Sequence, residues 1–357
     1  MGTWDEMQPP LAQIKSIVDD TDDELGAAKE QVSDLTAANS QLTAEKAELE
    51  RQLAECQGGE PGPGPGPEPE PDGIGLPPTG KIYMGCSYNG MAGHLAISGN
   101  KHPHISHDYA RSGSEMAGRI SRLPAGCIPL INFKPAGAMG PSAYKAILAG
   151  SNNASIDASA TAIKKWMDAN PGKPFFFAPI HEPENDEKPP AGQTIAPGDA
   201  DYARAFRFIV ERTRRIADPV IVWNMMGFEG HGLRYNTLYP GDDVVDWLAS
   251  DPYVRTVASV DTWNELANAP STNFPGFYSW GKTKGKPFML AEWGIGIAVK
   301  DTAAPKLLSV GQLDVLQRDM PLVRALVYWN EVGTVDYRLQ NIAGLYKTFL
   351  GFAPFQF

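Results

Sequence analysis

Three patterns of apolar residues follow one another along the chain. Over residues 11–56 apolar side chains return alternately every three and four positions. Leu11, Val18, Leu25, Val32, Asn39, Lys46 and Leu53 fall at heptad position a, and Ile14, Thr21, Ala28, Leu35, Leu42, Leu49 and Cys56 at d. All but Thr21, Asn39 and Lys46 are apolar, counting Ala28 and Cys56. A strict seven-residue repeat kept this long predicts a coiled coil rather than a helix folded back on a core. A parallel homo-oligomer, dimer or trimer, is expected, with Asn39 and Lys46 at a restricting its register. Residues 1–10 precede it as an N-terminal segment.

Residues 57–80 (QGGEPGPGPGPEPEPDGIGLPPTG) break the repeat. Alternating Pro and Gly cannot bury a core, and the prolines stiffen the chain, so a spacer is expected. From Lys81 onward the period changes again. Short apolar runs of strand length occur at 81–85, 104–111, 128–133, 175–181, 220–224, 244–253, 288–292 and 325–329. Helix-like stretches lie at 112–123, 156–169, 201–216, 310–320 and 340–350. Eight strands with intervening helices predict a (β/α)₈ TIM barrel over 81–357. A doubly wound sheet would share the alternation, but the segment Gly85-Cys86-Ser87-Tyr88-Asn89-Gly90 lacks the glycine spacing of a phosphate loop.

Charge sharpens the division. Residues 1–60 carry 14 acids against 4 bases, whereas 81–357 carry 25 acids and 27 bases. The acidity belongs to the N-terminal arm, and no basic face suggests nucleic acid. Three cysteines, Cys56, Cys86 and Cys127, are too few and too scattered for a disulfide framework or a zinc site. No apolar run approaches the roughly 20 residues of a membrane span, and no secretory signal is read at the N-terminus.

The candidate chemistry sits at two strand ends. Phe175–Ile180 runs into His181-Glu182-Pro183, and Pro287–Ala291 into Glu292-Trp293-Gly294. The C-terminal strand ends of a barrel carry its active site, and a facing carboxyl pair is what glycosidic cleavage needs. An apolar approach should desolvate Glu182 and raise its pKa, as a general acid requires. His181 and Asn185 are placed to hydrogen-bond a carboxyl group or a sugar hydroxyl. Trp263, Trp293 and Trp329 are expected to bind sugar, whose apolar face stacks on aromatic rings. Other carboxylates compete. Glu265 and Glu331 follow asparagines, Glu229 lies near His231, and Asp251 is read as a hydrogen-bonding support for Tyr253. Glu265 is read as substrate-binding or loop-structural. His102, His104 and His107 are spaced too loosely for a metal and are read as a loop lining the cleft. No metal or cofactor is expected.

These segments resemble glycoside hydrolase family 26. The resemblance rests on Phe177–Asp186 (FAPIHEPEND), Tyr239–Tyr253 (YPGDDVVDWLASDPY), Met289–Gly294 (MLAEWG) and Ala325–Asn330 (ALVYWN). It implies a retaining (β/α)₈ glycosidase with Glu182 as acid/base and Glu292 as nucleophile. His181 would orient them, Tyr253 would stand near the nucleophile, and Trp329 would floor the sugar subsite. β-Mannan is the first substrate it implies, then mixed-linkage β-glucan or xylan. The family usually carries an arginine shortly before its His-Glu pair, where this chain has Phe177-Ala178-Pro179-Ile180.

The expected protein is thus an endo-acting polysaccharide hydrolase on an oligomeric stalk. Stalk, spacer and head together resemble a bacteriophage minor tail protein, placing it on a virion tail, in contact with other tail proteins, or outside a cell. A glycan-binding adhesin without turnover, or a structural tail protein, would present the same outline.

Overall fold

The computed structural model describes residues 73–135, 137, 139–227, 233–255, 260–268 and 274–356. The segment 1–10, the coiled coil read over 11–56 and residues 57–72 of the spacer lie outside the described residues.

Among the described residues nine strands form: β1 (Tyr83–Ser87), β2 (Ile105–Ala110), β3 (Ile128–Phe133), β4 (Phe176–Pro179), β5 (Val220–Met225), β6 (Trp247–Ser250), β7 (Tyr253–Val254), β8 (Phe288–Ile295) and β9 (Val323–Tyr328). Strands β1 to β6 pair in sequence order, β6 pairs with β8, β8 with β9, and β9 with β1, all in parallel. This closes an eight-stranded barrel. The two-residue β7 continues the path of β6 and pairs with the far end of β8. The run expected as one strand over 244–253 is therefore interrupted at Asp251-Pro252, because proline has no N–H for the ladder.

Alternation along each strand sorts the side chains into two layers. Tyr83, Ile105, Leu130, Phe176, Val222, Trp247, Met289 and Val327 fill the barrel interior. Their neighbours Met84, Ile131, Phe177, Trp223, Leu248, Leu290 and Leu326 face outward and join the helices in a second apolar cluster. Both are fully or nearly fully buried, so no aqueous pore runs through the barrel. Gly85 lies where a Cβ would meet Val327 at 2.7 Å.

The inward positions change character along the strands. The lower layers are apolar, while the last inward positions are His107, Tyr109, Asn132, Asn224, Asp251 and Glu292, which bond or face one another. A polar cluster thus sits on a dry floor at the C-terminal mouth.

Residues 73–80 of the Pro/Gly stretch pack across the opposite mouth. Trp247 Nε1 donates to Ile74 O at 2.7 Å, Tyr83 Oη to Leu76 O at 3.2 Å and Arg324 to Pro78 O at 3.1 Å. Leu76 packs against the interior cluster. Gly75 makes this turn with φ 76°, a left-handed value that favours glycine.

The expected helices form at Gly113–Ser121, Asn153–Ala169, Asp199–Arg214, Val310–Asp319 and Ala343–Leu350. Ser112 and Ser309 cap two of them by accepting from Glu115 N and Gln312 N. Helices at Met91–Ser98, Pro141–Leu148 and Lys300–Leu307 were not expected. The first is half small residues (MAGHLAIS) and shows no apolar stripe.

Candidate active site

Glu292 reaches the barrel mouth through a bulge. On β8, Met289 and Ala291 face inward, so strict alternation would turn Glu292 outward. The pairing with β9 instead slips: Leu290 opposes Leu326, but Trp293 opposes Tyr328. Three steps on β8 match two on β9, so β8 holds one extra residue. Glu292 therefore joins the inward side, and Trp293 turns outward. There Glu292 Oε1 accepts from Tyr109 Oη at 2.6 Å and from Asn132 Nδ2 at 3.4 Å. Its Oε2 accepts from Tyr253 Oη at 2.7 Å.

Glu182 follows β4 on a strained turn. Ile180 and Glu182 have φ of 40° and 50°. Each such non-glycine residue costs about 1–3 kcal/mol, and a β-branched one is rare there. Backbone bonds hold the turn: Ile180 N donates to Phe133 O at 2.8 Å and Glu182 N to Asn224 O at 3.0 Å. Pro183 then opens a single helical turn, Pro183–Asp186. Asn185 Nδ2 returns to Glu182 Oε2 at 2.9 Å.

The two glutamates border one cleft of about 300 Å³, lined also by Tyr109, His181, Asn185, Tyr253, Arg255, Trp329 and Tyr337. A larger cavity of about 430 Å³, between His94, His104 and Lys347, has no carboxyl group in its wall. One wall of the cleft is aromatic. Tyr253 and Trp329 meet edge to face at 5.9 Å, and Tyr337 lies 4.8 Å from Tyr253 and 5.7 Å from Trp329.

Burial governs the titration of the cleft. Glu292 is pushed up to about 8, first by burial and then by the charge of Glu182; the phenols of Tyr109 and Tyr253 act against this. Glu182 is raised by burial, with Lys134, Asn185 and Asp251 opposing. Asp251, wholly buried, is raised well above the usual range by burial, then by Glu292 and Glu182. Three carboxyl groups in so dry a site cannot all ionise near neutrality. Asp251 Oδ2 accepts from Asn224 at 3.0 Å, its other oxygen has no hydrogen-bond partner, and Glu182 acts on the same carboxyl group. A protonated Asp251 satisfies that arrangement. Both oxygens of Glu292 receive phenolic protons, which favours its ionised form against the burial that raises it. His107 and His181 are pushed down by burial, His107 to about 3, so both rings are neutral. The 3.7 Å approach of His107 to Glu292 is not an ion pair.

Most of the expected site residues gather here. Glu182, Glu292, His181, Asn185, Tyr253 and Trp329 all line the cleft. Trp263 and Trp293 do not. Both are fully buried, 5.0 Å apart, and Trp293 packs on Tyr328 in the outer layer. The bulge that aims Glu292 inward sends Trp293 the other way, so neither indole can stack on a sugar. The three histidines also part company. His107 faces Glu292, whereas His102 and His104 line the larger cavity. Glu265 accepts from Asp261 N and Thr262 N at the start of helix Trp263–Asn268, a structural cap. Glu229 lies outside the described residues. Among the described residues no group of three or more His, Cys, Asp and Glu is arranged to hold a metal.

Sequence reasoning missed Tyr109, Asn132 and Asn224, and it read His107 as loop where it stands on β2. All four occupy inward positions at strand ends, and period-two counting from the apolar layers would have found them.

No family model matches the sequence, and no curated protein matches it. Solved structures do. A GH26 β-mannanase from Bacteroides ovatus superposes with TM-score 0.52 at 15% identity, over 78% of this chain and 90% of that one. GH26C from Muricauda sp. gives TM-score 0.54 at 13% identity, over 77% and 86%. The catalytic domain of a Bacillus sp. GH26 endo-β-1,4-mannanase gives TM-score 0.56 at 15% identity, over 77% and 86%. At such identities the likeness is one of fold: the chain shares the (β/α)₈ barrel of these structures.

Proposed function

We propose that the chain is a retaining glycoside hydrolase that cuts a polysaccharide internally. One observation carries this reading: two glutamates from different strand ends share one cleft, one gripped by two phenols and the other desolvated on a strained turn. The phenols aim Glu292 and favour its ionised form, which a nucleophile requires. Glu182, desolvated and raised, suits a general acid.

In the first step Glu182 gives its proton to the glycosidic oxygen. The C–O bond breaks, and its electron pair stays on that oxygen. A Glu292 oxygen bonds the anomeric carbon, giving a covalent glycosyl-enzyme. In the second step Glu182, now a carboxylate, takes a proton from water. The hydroxide oxygen displaces Glu292, and two inversions leave the configuration retained. Trp329, half-buried in the cleft wall beside Tyr253 and Tyr337, floors the sugar subsite.

β-Mannan is the first substrate class, supported by the names of the structural neighbours. β-Glucan, xylan and bacterial surface glycans follow. The acidic heptad arm and the Pro/Gly spacer support an oligomeric, stalked enzyme carried on a phage tail. Proton NMR of the first product tests the mechanism. Retained anomeric configuration is expected, with loss of turnover in Glu182→Ala. Initial release of the inverted anomer would refute it.

A further inference from the structure

Lys134 follows β3, and its ammonium pairs with the end of the acid/base turn. Its backbone N–H donates to Ala110 O at 3.0 Å, which ties it to β2. Its Nζ lies 3.3 Å from Asp186 Oδ1, and Tyr144 Oη donates to Asp186 Oδ2 at 3.2 Å. Asp186 ends the single helical turn that begins directly after Glu182. The lysine thus braces the end of β3 against the strained segment that carries Glu182. Its side chain is only 20% exposed and that of Asp186 only 13%. This is not an ordinary surface pair held loosely in water.

The ammonium acts beyond its salt bridge. Of the groups that oppose the desolvation of Glu182, Lys134 has the largest effect, ahead of Asn185 and Asp251; Asp186 acts in the opposite sense. The same charge helps keep the buried His181 neutral. The titratable groups around this lysine include Asp186 and Glu182, His181 from the end of β4 and, through Asp186, Tyr144 from helix Pro141–Leu148.

We propose that Lys134 is a positioning residue for the acid/base: a fixed cation that stabilises the Glu182 carboxylate left when its proton passes to the leaving oxygen. A retaining cycle needs Glu182 as an acid in its first half and as a base in its second. Burial alone would favour the acid so far that the second half suffers. A cation held by Asp186, four residues beyond Glu182, restores the balance. The proposal rests on the reading of Glu182 as the acid/base.

The test follows the titration of the Glu182 carboxyl by carbon-13 NMR in the full chain without substrate, assigned by its absence in Glu182→Gln. Lys134→Met should raise the midpoint by about one pH unit, the effect of losing a nearby opposite charge. Lys134→Arg should leave it near the wild-type value. Asp186→Asn should lower it, because an acid is lost and the lysine is released towards Glu182. A brace with no electrostatic role would leave the midpoint unmoved in both Lys134→Met and Asp186→Asn, or move it the same way in both. Either result overturns the proposal. These titrations need no turnover, so they stand apart from any failure of the glycosidase reading. If hydrolysis is found, the basic limb of kcat/KM should move upward in Lys134→Met alone.

Discussion

Glu184 shows what burial does to a carboxyl group that the proposed chemistry does not use. Only 1% exposed, it accepts from Met226 N at 3.0 Å, while its second oxygen has no hydrogen-bond partner. Burial above all pushes it from 4.5 up to about 7. The folded-state value is raised, so its stabilising contribution is complete below about pH 4.5 and is lost as pH rises through about 7. Glu184→Gln keeps the acceptor for Met226 and removes the titration. Relative to wild type, the variant should gain about 2.5 kcal/mol between pH 5 and pH 8, read as a change in the Tm difference. An unchanged difference would show that Glu184 ionises freely. Tyr253 belongs to the same scale. Its phenol bonds one oxygen of Glu292, and a hydrogen bond to a charged group is worth about 1.5–3 kcal/mol. Tyr253→Phe should therefore lower kcat/KM about 10- to 100-fold and move the acid limb of the profile upward, since a lost donor weakens the ionised form.

At the scale of elements, the site depends on where strands stop alternating. The apolar runs 128–133, 175–181 and 288–292 announced their strands because branched and aromatic residues fill a barrel layer. The runs also located Glu182 and Glu292, since a carboxylate ending such a run has nowhere dry to go but the mouth. The bulge in β8 could not be read. One extra residue leaves no mark on composition, yet it reverses the facing of Glu292 and Trp293. Trp293 was misread as a sugar platform for that reason, and Trp263, packed against it, likewise. Tyr109 was overlooked because the β2 sequence, ISHDYA, is polar enough to look like a weak strand; its polar side chains are the upper layer of the site. The floor is a third case. Pro and Gly in 73–80 suggest a spacer, yet Leu76 and the carbonyls of Ile74 and Pro78 close the lower mouth. A chain beginning at Gly73 should melt close to the full-length barrel, while one beginning at Lys81 should melt several degrees lower, because Trp247 Nε1 and Leu76's neighbours lose their cover. Equal melting temperatures would show that the floor segment contributes nothing.

For the whole molecule, the barrel and the arm have different characters. The head is nearly neutral, while residues 1–60 hold 14 acids against 4 bases. The proposed stalk assigns any association of the full chain to the heptad repeat. Light scattering should give a dimer or trimer for residues 1–357 and a monomer for 73–357; a monomer in both cases would remove the stalk from the account. Attachment to a virion rests on that arm, and the chemistry rests on the head, so the two can fail separately. The central claim belongs to the head and has one direct test. Wild type and Glu292→Ala would be incubated with β-mannan, β-glucan, xylan and bacterial-envelope glycans, and new reducing ends counted. Release by wild type from at least one glycan is expected, with the variant slower by about 10⁴-fold or more. Equal release by both would strip Glu292 of its role. If wild type retained a glycan but released nothing from any of the panel, the barrel would be a binding module and not an enzyme.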